Sequence, residues 1–143
     1  MKKRETKFIS NLHRSTKRNY LARVNLKKPI YMKNAKKYSF DYWDSSREKG
    51  YGGYRYIPGR WKTTAKKIIK YYNLKAGSKV LDIGCGKGFL LFEMLLIEPK
   101  LKIYGTDVSS YAIKNSKKEI KKYLIKHDIS NKLPFSKSYF DLV

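Results

Sequence analysis

The run Val80-Leu-Asp-Ile-Gly-Cys-Gly-Lys-Gly88 narrows the folds open to this sequence more than any other segment. A short β-rich stretch, Lys79 to Ile83, enters three glycines spaced one residue apart. An apolar run from Phe89 to Ile97, closed by Pro99, follows. Strand, sharp turn and helix in that order open a parallel α/β sheet, because parallel strands need a crossover between them. Gly84 and Gly86 permit the turn and the close approach of a ligand, and Gly88 lets the helix start pack near the strand. Open sheets of this kind bind ligands at the carboxyl ends of their strands.

The pattern repeats downstream. Lys102 to Thr106 predicts a second strand ending at Asp107. Ser109 or Ser110 caps a helix reaching Lys118 to Lys121. Tyr123 to Lys126 reads as a third strand ending at His127-Asp128, and Tyr139 to Val143 as the start of a fourth. Upstream, Trp61, Ala65, Ile68, Ile69 and Tyr72 form one apolar stripe of a helix that Asn73 and Gly77 end.

The glycine spacing separates ligand classes. A dinucleotide fingerprint, G-x-G-x-x-G, would need glycine at position 89, where this chain has Phe89. Asp82, two residues before the first glycine, would repel a pyrophosphate and suits a ligand with a cationic amino-acid end. Both facts disfavour an NAD-dependent oxidoreductase.

With Asp107 lying 21 residues after Gly86 (107 − 86 = 21), Asp128 ending the third strand, and Leu133-Pro-Phe135 followed by Ser138 to Val143, the stretch Lys79 to Val143 resembles the class I S-adenosylmethionine-dependent methyltransferases. The resemblance implies a Rossmann-like α/β fold, here a partial parallel sheet of about four strands with helices on both faces. It implies S-adenosyl-L-methionine as cofactor and methyl transfer as reaction. It assigns Asp82, Gly84, Gly86 and Gly88 to the cofactor loop, with Asp82 near the methionine amino group. It assigns Asp107 to the two ribose hydroxyls, for which a carboxylate is a bidentate acceptor, and Asp128 to the adenine amino group, with Ile129 beside it. The family's sheet has seven strands ordered 3-2-1-4-5-7-6. A chain ending at Val143 therefore reads as truncated after strand four, with weak cofactor binding and poor turnover expected.

Residues 1–60 read as a basic, aromatic-rich extension and residues 61–143 as the incomplete cofactor-binding domain. Met1 to Lys37 is a basic leader in which Tyr20, Leu21 and Val24 have helical spacing, with Pro29 to stop them. Between Tyr38 and Trp61, four glycines and Pro58 forbid a long helix or strand, yet the segment is dense in Tyr and Trp that must bury against a core or a ligand. Tyr42-Trp-Asp-Ser-Ser-Arg47, Gly50 to Tyr56 and Gly59-Arg-Trp61 resemble the N-terminal portion of bacterial methyltransferases associated with sugar or surface-glycan gene sets. That likeness implies a small-molecule acceptor such as a sugar or glycan precursor. The same segment offers Tyr54, Tyr56 and Arg60 to the substrate side, and Asp141 is a further candidate there.

The net charge of +23, from 34 Lys+Arg against 11 Asp+Glu, would attract nucleic acid. The excess is mostly Lys scattered along the whole chain, which reads better as compositional bias than as a dedicated surface. Three readings stay open: a small-molecule methyltransferase, an RNA or other nucleic-acid methyltransferase, and a non-catalytic cofactor-binding module. No general base stands out. His127 reads as a loop histidine, His13 earns no role, and Cys85, the single cysteine, reads as a space-filler between glycines. No disulfide framework and no zinc ligand set are expected. With no signal peptide visible and no apolar run long enough to span a bilayer, a cytoplasmic location is expected.

Overall fold

The computed structural model describes residues 7–9, 12 and 28–143, so the helix read at Tyr20, Leu21 and Val24 lies outside the described residues. Helix α1, Lys28–Ala35, carries Pro29 as its second residue, in the first turn where a missing N–H removes no helical hydrogen bond. Helix α2, Phe40–Trp43, is a single turn, and residues 44–61 follow as turns and loops. Helix α3, Lys62–Tyr71, turns Ala65, Ile68 and Ile69 into the core. It ends where Asn73 and Gly77 take positive φ (50° and 87°).

Strand β1, Lys79–Ile83, leads through the glycine bend into helix α4, Phe89–Ile97, and strand β2, Lys102–Asp107, follows. The helix expected from Ser109 onward is two short pieces, α5, Ser110–Lys114, and α6, Lys118–Lys121. The Asn115 side chain donates to the Tyr111 carbonyl at 2.8 Å, and Lys117 is extended at ψ 139°, so helical hydrogen bonding stops between them. Strand β3, Leu124–Lys126, completes a parallel sheet of order β1-β2-β3.

The expected fourth strand is present only as a parallel bridge between Val80 and Leu142, on the free edge of β1, with the Leu81 amide donating to the Leu142 carbonyl at 2.9 Å. The residues before it do not extend, because Phe135, Tyr139 and Phe140 fold over Tyr104, with ring centroids 5.8, 5.8 and 5.3 Å away. The chain thus reaches β1 only near Asp141. This puts residue 142 beside β1 on the side away from β2, the neighbour relation of strands 3-2-1-4.

Alternation along the strands divides the sheet. Val80 and Ile103, register partners, face the core with Leu91, Met94, Ile120 and Leu124. Leu81 and Tyr104 face the opposite side, under the 135–140 loop. Helix α4 is apolar nearly all round and correspondingly buried, at Phe89, Leu91, Phe92 and Met94. Its one acid, Glu93, is 2% exposed and accepts from the Tyr56 hydroxyl and the Gly59 amide, each at 2.8 Å. That buried carboxylate docks residues 56–59 onto the sheet domain. Among the described residues no helix is long and apolar enough to cross a membrane.

Candidate functional site at the glycine bend

Gly84, Gly86 and Gly88 all hold left-handed backbone, at φ 75°, 57° and 70°, a region glycine enters without the steric cost that other residues meet. The Gly84 and Cys85 amides donate to the Thr106 carbonyl at 2.8 and 3.0 Å, which ties the bend to the end of β2. A Cβ on Gly88 would lie 2.7 Å from Ile120 Cδ1 and 3.0 Å from Leu124 Cδ1. Glycine there lets α4 start close against β3 and α6.

The carboxylate of Asp107 is buried at the end of β2. One oxygen accepts the Gly86 amide and the other the Ser109 amide, both at 2.7 Å. Each oxygen keeps a further acceptor position for a hydroxyl. Ser109 caps α5, its Oγ accepting the Ala112 amide at 3.0 Å. The 21-position interval from Gly86 to Asp107 thus closes at the carboxyl ends of β1 and β2.

Asp82 lies in the same neighbourhood, half-buried, and its carboxylate makes no hydrogen bond to any described residue. Burial, and second the charge of Asp107, push its carboxyl from 3.8 up to about 6. A partly desolvated carboxylate with no donor of its own is a receptor for a cation. Burial also raises the Cys85 thiol, with the Asp82 and Asp107 charges adding to it. Cys85 therefore stays a protonated space-filler rather than a nucleophile.

Lys87, the charged residue within the glycine triplet, is 4% exposed. Its ammonium lies 2.7 Å from both oxygens of Asp44 and 2.7 Å from the Tyr54 carbonyl. The Tyr111 hydroxyl adds a hydrogen bond to Asp44 at 2.8 Å. Burial would raise the Asp44 carboxyl, but the hydrogen bonds from Lys87 and Tyr111 and the Lys87 charge outweigh it and hold it below its ordinary value.

The aromatic segment lies directly on this bend. A Cβ on Gly86 would stand 2.8 Å from Trp43 Cη2. The Trp43 indole N–H donates to Ser109 Oγ at 2.9 Å and to the Tyr38 carbonyl at 3.2 Å, and Tyr51 stacks on the indole at 5.2 Å and 6°. Tyr54 stacks on Phe89 at 5.1 Å. Its phenol is pushed up to about 12 by burial, then by the charges of Tyr51 and Asp82.

Of the residues singled out for the substrate side, Tyr54 is near Asp82, whereas Tyr56 turns its hydroxyl to Glu93 and Arg60 is exposed on the following turn. Asp141 is at the other end of β1. Its carboxylate accepts the amide of Lys79, the first residue of that strand, at 2.7 Å, so it is separated from the glycine bend by the strand's whole length. At the end of β3, the His127 amide donates to the Asp107 carbonyl at 2.9 Å, which brings this turn to the same edge. Asp128 is exposed and accepts the Ser130 amide at 2.9 Å, and Ile129 is exposed beside it. Sequence marks Ser109 as a helix cap and Trp43 as a ring that must bury, but it assigns no site role to Trp43, Asp44, Lys87, Ser109 or Tyr111; the lysine set among the three glycines is the further local signal.

Residues 74–143 match the family described as "Methyltransferase domain". The chain is 35% identical over 71 residues to malonyl-[acyl-carrier protein] O-methyltransferase of Legionella pneumophila, covering 48% of this chain and 25% of that one. It is 37% identical over 90 residues to ribosomal RNA small subunit methyltransferase C of Buchnera aphidicola, covering 63% and 24%. It is 36% identical over 95 residues to tRNA U34 carboxymethyltransferase of Nautilia profundicola, covering 62% and 31%. The chain thus spans between about a quarter and a third of the curated relatives it matches.

Proposed function

We propose, from the match of residues 74–143 to the methyltransferase-domain family and from the parallel sheet that carries the glycine bend, that this chain binds S-adenosyl-L-methionine at the bend and serves transfer of its methyl group to a small-molecule acceptor. The observation that carries the reading is the Asp107 carboxylate, fixed by two backbone amides at 2.7 Å against Gly86 while each oxygen retains an acceptor position. Such a group is pre-oriented for a vicinal diol. Asp82, without a hydrogen-bonding partner among the described residues, fits the cationic amino end of the same ligand. Asp128 and Ile129, at the turn after β3, are the adenine side of this reading.

The bound cofactor supplies a methyl group already activated on a sulfonium. The chain's part is to hold, align and exclude water. Gly84 to Gly88 let the backbone approach, Asp107 orients the sugar, Asp82 receives the ammonium, and the buried Phe89 at the start of α4 keeps water from that side. Tyr54 and Cys85 both remain protonated at neutral pH, so neither removes a proton from the acceptor. A sugar or glycan precursor is the acceptor class we favour, with Tyr54 and Arg60 on its side. Within the 1–60 extension, residues 38–54 are the part that lies on the glycine bend, and in this reading they cover the cofactor half.

A second reading, an RNA acceptor, is favoured by the +23 charge together with the scarcity of ion pairs that offset it: among the described residues only Lys49–Asp41 at the surface and the buried Lys87–Asp44 form. Two of the curated relatives are named for ribosomal and transfer RNA. Transfer of labelled methyl to a panel of nucleotide sugars and to total RNA, at low and at about 0.15 M salt, separates the two. Labelled RNA with steep salt dependence selects the second reading. Labelled sugar insensitive to salt selects the first. Cofactor binding with no labelled product selects a binding module.

A further inference from the structure

We propose that residues 38–54 form a gate over the cofactor cleft, with Trp43 seated on Gly86 in the ligand's place and the Lys87–Asp44 pair as its latch. This rests on the reading of that cleft as the cofactor site. The Trp43 ring touches Gly86, the glycine whose bare face would admit a ligand, and its N–H reaches Ser109 Oγ at 2.9 Å. The indole therefore bridges the end of β1 and the end of β2, beside Asp107, which is where a ligand of this sheet lies. Trp43 is 6% exposed, so the ring fills the position it occupies. A cavity of about 380 Å³ opens under the 135–140 loop, and one of about 200 Å³ beside α3 and α4 reaches Asp82, while neither is lined by Gly86 or Asp107.

The segment is built to move as a unit. The Tyr51 amide donates to the Tyr42 carbonyl at 2.8 Å and the Tyr54 amide to the Trp43 carbonyl at 2.9 Å, which closes residues 42–54 into one loop. Its own apolar cover is thin: Tyr38, Phe40 and Tyr51 are 37%, 52% and 41% exposed. What holds it down is Trp43, the ion pair of Lys87 with Asp44 supported by Tyr111, the Lys87 and Ser109 hydrogen bonds to the Tyr54 and Tyr38 carbonyls, and the Tyr54 ring on Phe89. Segments with few buried contacts open well below the free energy of global unfolding. Gate opening then precedes entry, and the apparent affinity is the intrinsic affinity scaled by the open fraction.

The test uses the full chain carrying 5-fluorotryptophan, with Trp61→Phe made only to assign the two resonances, and S-adenosylhomocysteine as probe. The Trp43 resonance should become solvent-accessible as the probe saturates, and the observed binding rate should level off at high probe concentration. Lys87→Met should raise both the limiting rate and the affinity about tenfold, the change expected if a minor open state of roughly 10% becomes dominant. Should K87M not fold, Tyr111→Phe, which removes one hydrogen bond and leaves the ion pair, should raise both about threefold. A linear rate dependence with Trp43 still buried in the complex would overturn the gate and make Trp43 a fixed wall, leaving the cofactor reading intact. No binding to wild type or either variant would overturn the cofactor reading, and the gate with it.

Discussion

Lys87 and Asp44 stand 43 positions apart in the chain, yet the lysine ammonium lies 2.7 Å from both carboxylate oxygens, so a residue of the extension is locked to a residue of the glycine bend. The lysine side chain is 5% exposed and the aspartate 23%. This pair makes the aromatic segment and the sheet domain one unit around the candidate site.

Removing either partner strands the other. Lys87→Met should lower stability by about 3 kcal/mol, the lower end of what a buried pair loses when one charge goes, because Asp44 keeps some solvent. Adding Asp44→Asn to K87M should recover part of that loss. Urea unfolding of the single and double variants measures it. Because the Asp44 carboxyl is held below its ordinary 3.8, its contribution is present above that pH and is lost as pH falls through the lower, folded value. Acid release of the segment, followed by tryptophan fluorescence, should therefore begin only below about pH 4.

Asp82 behaves in the opposite sense. Its carboxyl, raised from 3.8 to about 6, favours the folded state while protonated; that contribution is full below 3.8 and is lost as pH rises through about 6. Asp82→Asn should therefore stabilise the ligand-free protein at pH 7 to 8 by roughly 3 kcal/mol, the two-unit shift converted, and by little at pH 4. The same variant should weaken S-adenosylhomocysteine binding at pH 7 to 8. Stability and affinity moving in opposite directions is a signature that a merely structural carboxylate does not produce.

Gly86→Ala places a methyl 2.8 Å from Trp43 Cη2 at φ 57°. We expect a loss of about 1–3 kcal/mol from the left-handed backbone and the contact together. In a Trp43→Leu background only the backbone part should remain, so the two substitutions should be non-additive in urea melts.

Much of the fold is legible because it is local. The apolar run Phe89 to Ile97 is the helix α4, residue for residue, and the strand ending at Asp107 ends there. Glycine spacing is legible for the same reason: a strand that must turn under a helix needs left-handed backbone at those positions, and Gly84, Gly86 and Gly88 hold it. The contacts that complete the site are not local. Trp43 finds Ser109 across 66 residues and Glu93 finds Tyr56 across 37, and no periodicity encodes such pairings. Asp141 could be placed near a strand start from sequence, but not at which end of the sheet it meets β1. The break at Asn115 was hidden because a capping side chain competes with the helix only once its backbone is in reach.

Calorimetric titration of the full chain with S-adenosylhomocysteine, beside Asp107→Ala, decides whether the Asp107 carboxylate holds the ligand at the glycine bend. Wild type should show saturable one-site binding that the variant loses while its melt stays cooperative. Equal binding by the two proteins, or no heat from either, would remove the cofactor from this site.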